Sequence, residues 1–367
     1  MKLIRLYGLI MAFLLSSLTA LAEDSARDRR FRVINAADGL ADNSAQTIKS
    51  TFSGRLVVST IGHINFYDGS GFTHISSGDS RYLLPKYKGH YHLYFDDSHH
   101  LWLKDKGMVT CVNMLTEQFV SDIGSIFQAQ GVKGHVEDMF VDSSGSIWLV
   151  QGNNIYSRHG KVSLPLRKGR VLQDMDISDN IVLLFYDDCQ VDVYDIIAKK
   201  KLYSTNSLNH EEVKDYQGSS VIYKYRNGFF QIRNGNNKAV LMWFDLGTRQ
   251  WTKVLSTDYY LSNMTVKDDV LYISSAYGYW TYDTDSRQIE HYEMIKLTDG
   301  RELLTDMNCI EFDRQGGMWI GTEKRGLLYS KYIKSPFNVM TWDNPLSVKY
   351  AEMMDKVCTY DMLVKGH

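Results

Sequence analysis

The stretch GHYHLYFDDSHHLW, residues 89–102, brings His90, His92, Asp96, Asp97, His99 and His100 close together in the chain, a donor set suited to a transition metal. Alternation along a strand puts His90 and His92 on one face, whereas His99 and His100 fall in the turn about 20 Å away at ~3.3 Å per residue. That spacing argues against one four-ligand centre and for solvated turn and strand-face histidines. The adjacent acids Asp187–Asp188 and Asp268–Asp269 could do general acid–base work. Both pairs lie where turns are predicted, and there Asp is favoured because it bonds its own backbone. Cys111, Cys189, Cys309 and Cys358 are too far apart for a C-x-x-C pair and read as small buried hydrophobes, or as one long-range disulfide. No H-E-x-x-H, Gly-x-Ser-x-Gly or phosphate loop occurs. Neither catalytic residues, nor a metal, nor a cofactor is expected.

The chemistry that remains is recognition. The segments TIGH, KDKG, QGNN, YDDC, RNGNNK, SAYGYW and EKRG are short and rich in polar and aromatic groups. Gathered on one surface they would suit a sugar, flat rings covering the apolar face of a pyranose and fixed polar groups meeting its hydroxyls. The aromatic candidates are Tyr277, Tyr279 and Trp280; the polar candidates are Lys104, Asn153, Asn154, Arg233, Lys324 and Arg325. For Tyr279 and Trp280, packing inside the fold is an equal alternative.

A repeat would gather such turns. RQGGMWIGTEKRGLLYS (314–330) is a strand, a polar turn, a Gly and another strand, and FVDSSGSIWLVQGNNIYS (140–157) and YFDDSHHLWLKDKGMVTC (94–111) follow the same plan. With STFSGRLVVSTIGHINFYDG (50–69) and three weaker copies in 176–283 there are seven units. Taking Val57, Trp102, Trp148, Val182, Phe230, Leu271 and Trp319 as a ruler, the steps are 45, 46, 34, 48, 41 and 48 residues. Several short strands in each such period indicate propeller blades rather than helical repeats. Large apolar residues at alternate positions, with Trp102, Trp148 and Trp319 filling gaps between blades, fit that arrangement. Composition agrees, with 24 Tyr, 15 Phe and 7 Trp beside 4 Pro. The expected fold is all-β, a seven-bladed β-propeller of four-stranded antiparallel blades over residues 23–340.

The ends read differently. Lys2 and Arg5 precede an apolar run and Ala20-Leu21-Ala22, the pattern of a cleaved signal over residues 1–22. The mature chain is therefore expected to be exported to the periplasm, without a membrane span. Forty-one basic against 43 acidic residues give a formal charge of −2, no electrostatic footprint for nucleic acid. The tail, 341–367, has Val348, Ala351, Met354 and Val357 near helical spacing; it reads as a short amphipathic piece or the start of a second domain.

Asp313, Gly316, Trp319, Gly321, Thr322, Gly326 and Leu327, in DRQGGMWIGTEKRGL (313–327), form a pattern that resembles the repeat of the two-component regulator propeller. Asp142, Gly145 and Trp148 fit its first half, as do Asp97, Leu101 and Trp102 less closely; Gly54, Leu56, Ser59, Thr60 and Gly62 fit with Val57 in place of Trp. The resemblance implies the periplasmic sensing region of a hybrid histidine kinase that responds to glycans or oligosaccharides. Only 25 residues follow Trp342, so it also implies a shortened or split sensor, working as a homodimer or through a separate kinase-bearing partner. An exported glycoside hydrolase or polysaccharide lyase, or a structural interaction propeller, are the alternatives.

Overall fold

In the computed structural model, residues 29–76, 80–87, 91–105, 107–158 and 162–331 are described. The expected signal and tail lie outside them, as does His90. Seven antiparallel sheets follow one another along the chain. Blades 1 to 6 begin with the strands Ala45–Ser50, His92–Phe95, Asp138–Val141, Leu172–Ser178, Ser220–Tyr225 and Leu261–Lys267. Each of these pairs with the next strand, and so on to a fourth at the outer edge. In blade 2 the outer position is shared, Gln118–Phe119 pairing with one end of Met108–Asn113 and Arg81–Leu83 with the other. First strands of neighbouring blades approach one another around the circuit, so they line the axis. The fold is a seven-bladed β-propeller.

Blade 7 is assembled from both ends of the described chain. Met307–Phe312, Met318–Thr322 and Leu327–Ser330 supply three strands, and Arg32–Ile34 adds the fourth by pairing with Leu327–Tyr329. Phe31, just before this closing strand, is buried and exchanges backbone bonds with Lys296 and Thr298. Gly326 lets the closing strand approach, since a Cβ there would lie 2.3 Å from the Ile34 carbonyl.

Each blade buries both faces against its neighbours, which is why the strands read as apolar runs. The cluster between blades 2 and 3 holds Trp102, that between 3 and 4 holds Trp148, and that between 7 and 1 holds Trp319. Every one of these indoles is also tied to the aspartate six residues earlier. Trp102, Trp148 and Trp319 donate Nε1–H to Asp96, Asp142 and Asp313 at 2.8, 2.7 and 2.9 Å. The other oxygen of each carboxylate accepts two backbone N–H groups of its own turn, from Ser144 and Ser146 in blade 3. Gly145 (φ +84°) and Gly316 (φ +85°) supply the left-handed residue these turns need. The repeated D-x-x-G-x-x-W is thus an internal anchor between a turn and an inter-blade core.

Candidate functional site

The turns between second and third strands emerge at the same end of the propeller as the starts of the axial strands. There the backbone makes a recurrent irregularity. Registers skip one residue between Ala45 and Thr47, Leu172 and Asp174, Leu261 and Asn263, and Met307 and Cys309. In blade 3, Glu137 bonds through its N–H to Val150, the residue that Asp138 also faces. In blade 5, Gly218 and Ser219 both pair with Asn234. A bulge of this kind opposes two residues to one and re-aims the extra side chain. The extra residues Gln46, Glu137, Gln173, Ser262 and Asn308 are half-exposed, while the residue preceding each is buried. The mouth of the axial channel is therefore ringed by hydrogen-bonding side chains that a regular strand would not present there.

Below this ring lies a buried charged group. Lys104 is fully buried; its Nζ meets Asp138 at 2.8 Å, donates to the Met139 carbonyl at 2.6 Å, and sits over the rings of Tyr87 and Phe140. Burial pushes the Lys104 ammonium below and the Asp138 carboxyl above their ordinary values, and each offsets the other. Asp174, on the neighbouring axial strand, is pushed up to about 7 by burial, which Lys104 and the Met175 N–H only partly counter. Arg233 is likewise enclosed, donating to the carbonyls of Tyr186, Asp187 and Tyr216. It also donates to the side-chain amide oxygen, Oε1, of Gln173.

These positions revise the expected site. Lys104 and Arg233 were expected in open turns, but their strands run on to Asp105 and Gly235, so both side chains point into inter-blade space and act as structural ties. Tyr279 is buried and stacks on Tyr292, the interior role; it borders a cavity of about 200 Å³ with Arg29, Phe31 and Met294. Trp280 is half-buried, stacked on His291 with centroids 4.1 Å apart, and donates to the Tyr259 hydroxyl. Asn154 is half-buried at the start of a strand. Asn153, Tyr277, Lys324 and Arg325 do lie exposed in turns of the mouth face. Tyr277 packs edge-on against Tyr259, so that pair, with Trp280 and His291, forms an aromatic rim on blade 6. His92 stacks on Tyr94, and His100 is bonded to Asp96, which holds the imidazole above its ordinary value.

The fold and its ringed mouth define the class: a propeller with a polar face at one end of its axis. Residues 303–324 match the family model described as two component regulator propeller, so the repeat recognised in the sequence is present in blade 7. None of the curated proteins compared with the chain matches it. Among solved structures, the extracellular domain of BT3049 from B. thetaiotaomicron, described as a hybrid two component system, superposes with TM-score 0.59. It is 15% identical, over 86% of this chain and 44% of that one. The extracellular domain of BT4673 from the same organism superposes equally, at 14% identity over 86% and 42%. The WD40 propeller domain of Doa1 aligns over 98% of its length with TM-score 0.54 and 10% identity. At such identities the likeness shows the fold. The chain spans less than half the length of the two B. thetaiotaomicron domains, and among the described residues no helix is long and apolar enough to cross a membrane.

Proposed function

We propose that this chain is the ligand-sensing propeller of an exported, two-component type receptor, that it acts by binding rather than catalysis, and that its ligand is an oligosaccharide. The observation that carries the reading is the family repeat in a blade of a propeller whose mouth is lined by bulge-directed amides, hydroxyls and a carboxylate. Such groups meet sugar hydroxyls, and the rim of Tyr277, Tyr259 and Trp280 on blade 6 supplies planes for sugar faces. Blade 6 adjoins blade 7, so a chain of several sugars can run from the mouth to that rim. Output follows if the ligand prefers one arrangement of the receptor assembly, whether a homodimer or a complex with a kinase-bearing partner.

Calorimetric titration with a panel of oligosaccharides, paired with turnover assays on the same panel, tests this. Binding without turnover is expected, and Tyr277→Ala should weaken it by about three- to tenfold, the worth of one exposed ring contact. Hydrolysis or elimination of a bound saccharide would replace the sensor reading by the enzyme one. Unchanged affinity in Tyr277→Ala would remove the rim from the site.

A further inference from the structure

Three side chains converge at the seam between blades 7 and 1, where the ends of the ring meet. Gln46 Nε2 and Asn308 Nδ2 both donate to Glu323 Oε2, at 3.1 and 2.9 Å. Gln46 Nε2 also reaches Ser44 Oγ at 2.5 Å, and Asn308 Nδ2 the Ala45 carbonyl at 3.0 Å. Because a carboxylate only accepts, both amides must turn their NH2 groups to it, which fixes which way each amide faces. The amide oxygens of Gln46 and Asn308, and Glu323 Oε1, then have no partner among the described residues, and all three residues are half-exposed. Two of the three stand on bulges, so the backbone irregularity is what brings them to the mouth.

The result is a patch of three acceptor oxygens, one of them charged, with every amide donor turned inward. A molecule bound there must bring O–H or N–H groups, and an anionic group facing it is repelled. Lys324 and Arg325 follow in the same turn, are exposed, and make no bond to any of the three.

We propose that Gln46, Asn308 and Glu323 form the orienting contact for neighbouring hydroxyls of a neutral sugar, seated at the seam of the channel mouth. This rests on the saccharide reading above and adds which sugar groups are held, where, and the exclusion of uronates and sulfate esters at this contact. Seam binding also bridges the first and last blades, so the ligand should raise the melting temperature by holding the ring closed.

The test is calorimetric titration of the full chain with neutral fragments of xylan, mannan, arabinan and starch, and with acidic fragments of pectin and heparin. Wild type, Glu323→Gln, the double variant Gln46→Ala/Asn308→Ala, and Lys200→Ala, exposed on the outer strand of blade 4, as a control are compared. The expected result is a neutral fragment bound by wild type, weakened at least about tenfold in Glu323→Gln and in the double variant, and unchanged in Lys200→Ala. Melting curves without ligand confirm that the variants are folded. Neutral-fragment affinity unaffected by either seam variant would overturn the seam contact and leave the saccharide reading standing. Tightest binding of an acidic fragment would overturn the seam assignment. Failure of every fragment to bind the wild type would overturn both readings together.

Discussion

Replacing Asp142 with alanine removes four bonds at once. Its carboxylate accepts from Ser144 N–H and O–H at 2.9 and 2.6 Å, from Ser146 N–H at 3.0 Å and from Trp148 Nε1–H at 2.7 Å. Asp142, Ser146 and Trp148 are all buried, so water cannot take over the indole N–H or the Ser146 amide. Leaving a buried donor without a partner costs about 1–3 kcal/mol, and bonds to a charged acceptor lie at the upper end. Two such orphans, with the turn loosened between them, give an expected loss of about 3–5 kcal/mol. Asp142→Asn is the sharper variant. An amide keeps one accepting oxygen, so it can serve either the turn N–H groups or the indole, and the expected loss is about 1–3 kcal/mol. Urea titration followed by tryptophan fluorescence reads both. If Asp142→Ala costs less than about 1 kcal/mol, or Asp142→Asn costs as much as Asp142→Ala, the two-sided anchor is the wrong account of the repeated Asp–Trp pair.

Lys104→Met should cost about 3–5 kcal/mol, because it leaves Asp138 charged and buried without its partner. Adding Asp138→Asn should recover at least about 1 kcal/mol in urea titration; no recovery would mean that Lys104 matters through packing alone. Asp174 titrates near 7 when folded against 3.8 as an ordinary carboxyl, so the native state holds the proton more tightly. Stability should then be greatest below about pH 4 for this group and fall as pH rises through about 7, by up to about 4 kcal/mol. Asp138 and Asp176, whose carboxyls burial also raises, add the same sign. Asp174→Asn should flatten urea midpoints between pH 5 and pH 8; an unchanged slope refutes the assignment of that proton to Asp174.

The three strong repeats were legible because Trp102, Trp148 and Trp319 mark one position, opposite Tyr94, Phe140 and Glu311 of the axial strands. In the weaker units the marker slips. Register places Leu183, Ile232 and Tyr272 at that position, rather than Val182, Phe230 and Leu271. The slip is one residue at Val182 and Leu271 and two at Phe230; a one-residue slip exchanges the two faces of a strand, and apolar runs buried on both sides give no alternation to correct it. Lys104 and Arg233 were misplaced for a related reason: a charged residue near an apparent turn reads as exposed, and the partners that bury it come from other blades. Nor does local sequence show that FRVIN pairs with LLYS at the other end of the ring, since each segment looks like an ordinary strand. The bulges at Gln46, Gln173 and Asn308 carry no residue-type signal at all; they follow from fitting axial strands around a shared centre.

The two ends of the propeller differ in what their polar groups do, and that difference underlies the proposal that recognition sits at the mouth. At the end carrying the turns between first and second strands, Asp96, Asp142 and Asp313 each use both carboxylate oxygens on their own turn and their own indole. The hydrogen-bonding capacity of those side chains is consumed internally, so these turns can vary little without unfastening a blade. At the mouth, bulges in blades 1, 3, 4, 6 and 7 turn Gln46, Glu137, Gln173, Ser262 and Asn308 to half-exposed positions, where Glu137 pairs with Lys86 and Gln173 bonds Gly218 and Arg233. Gln46, Gln173, Ser262 and Asn308 occupy equivalent places with three different side-chain types. Side-chain types that vary around the ring, over an axis held by anchors that repeat, would let the polar character of the mouth change without remaking the fold. At the seam, Gln46 and Asn308 from two bulges meet Glu323 of the turn between the second and third strands of blade 7, and under the proposal above that is where a hydroxylated ligand gains direct contact.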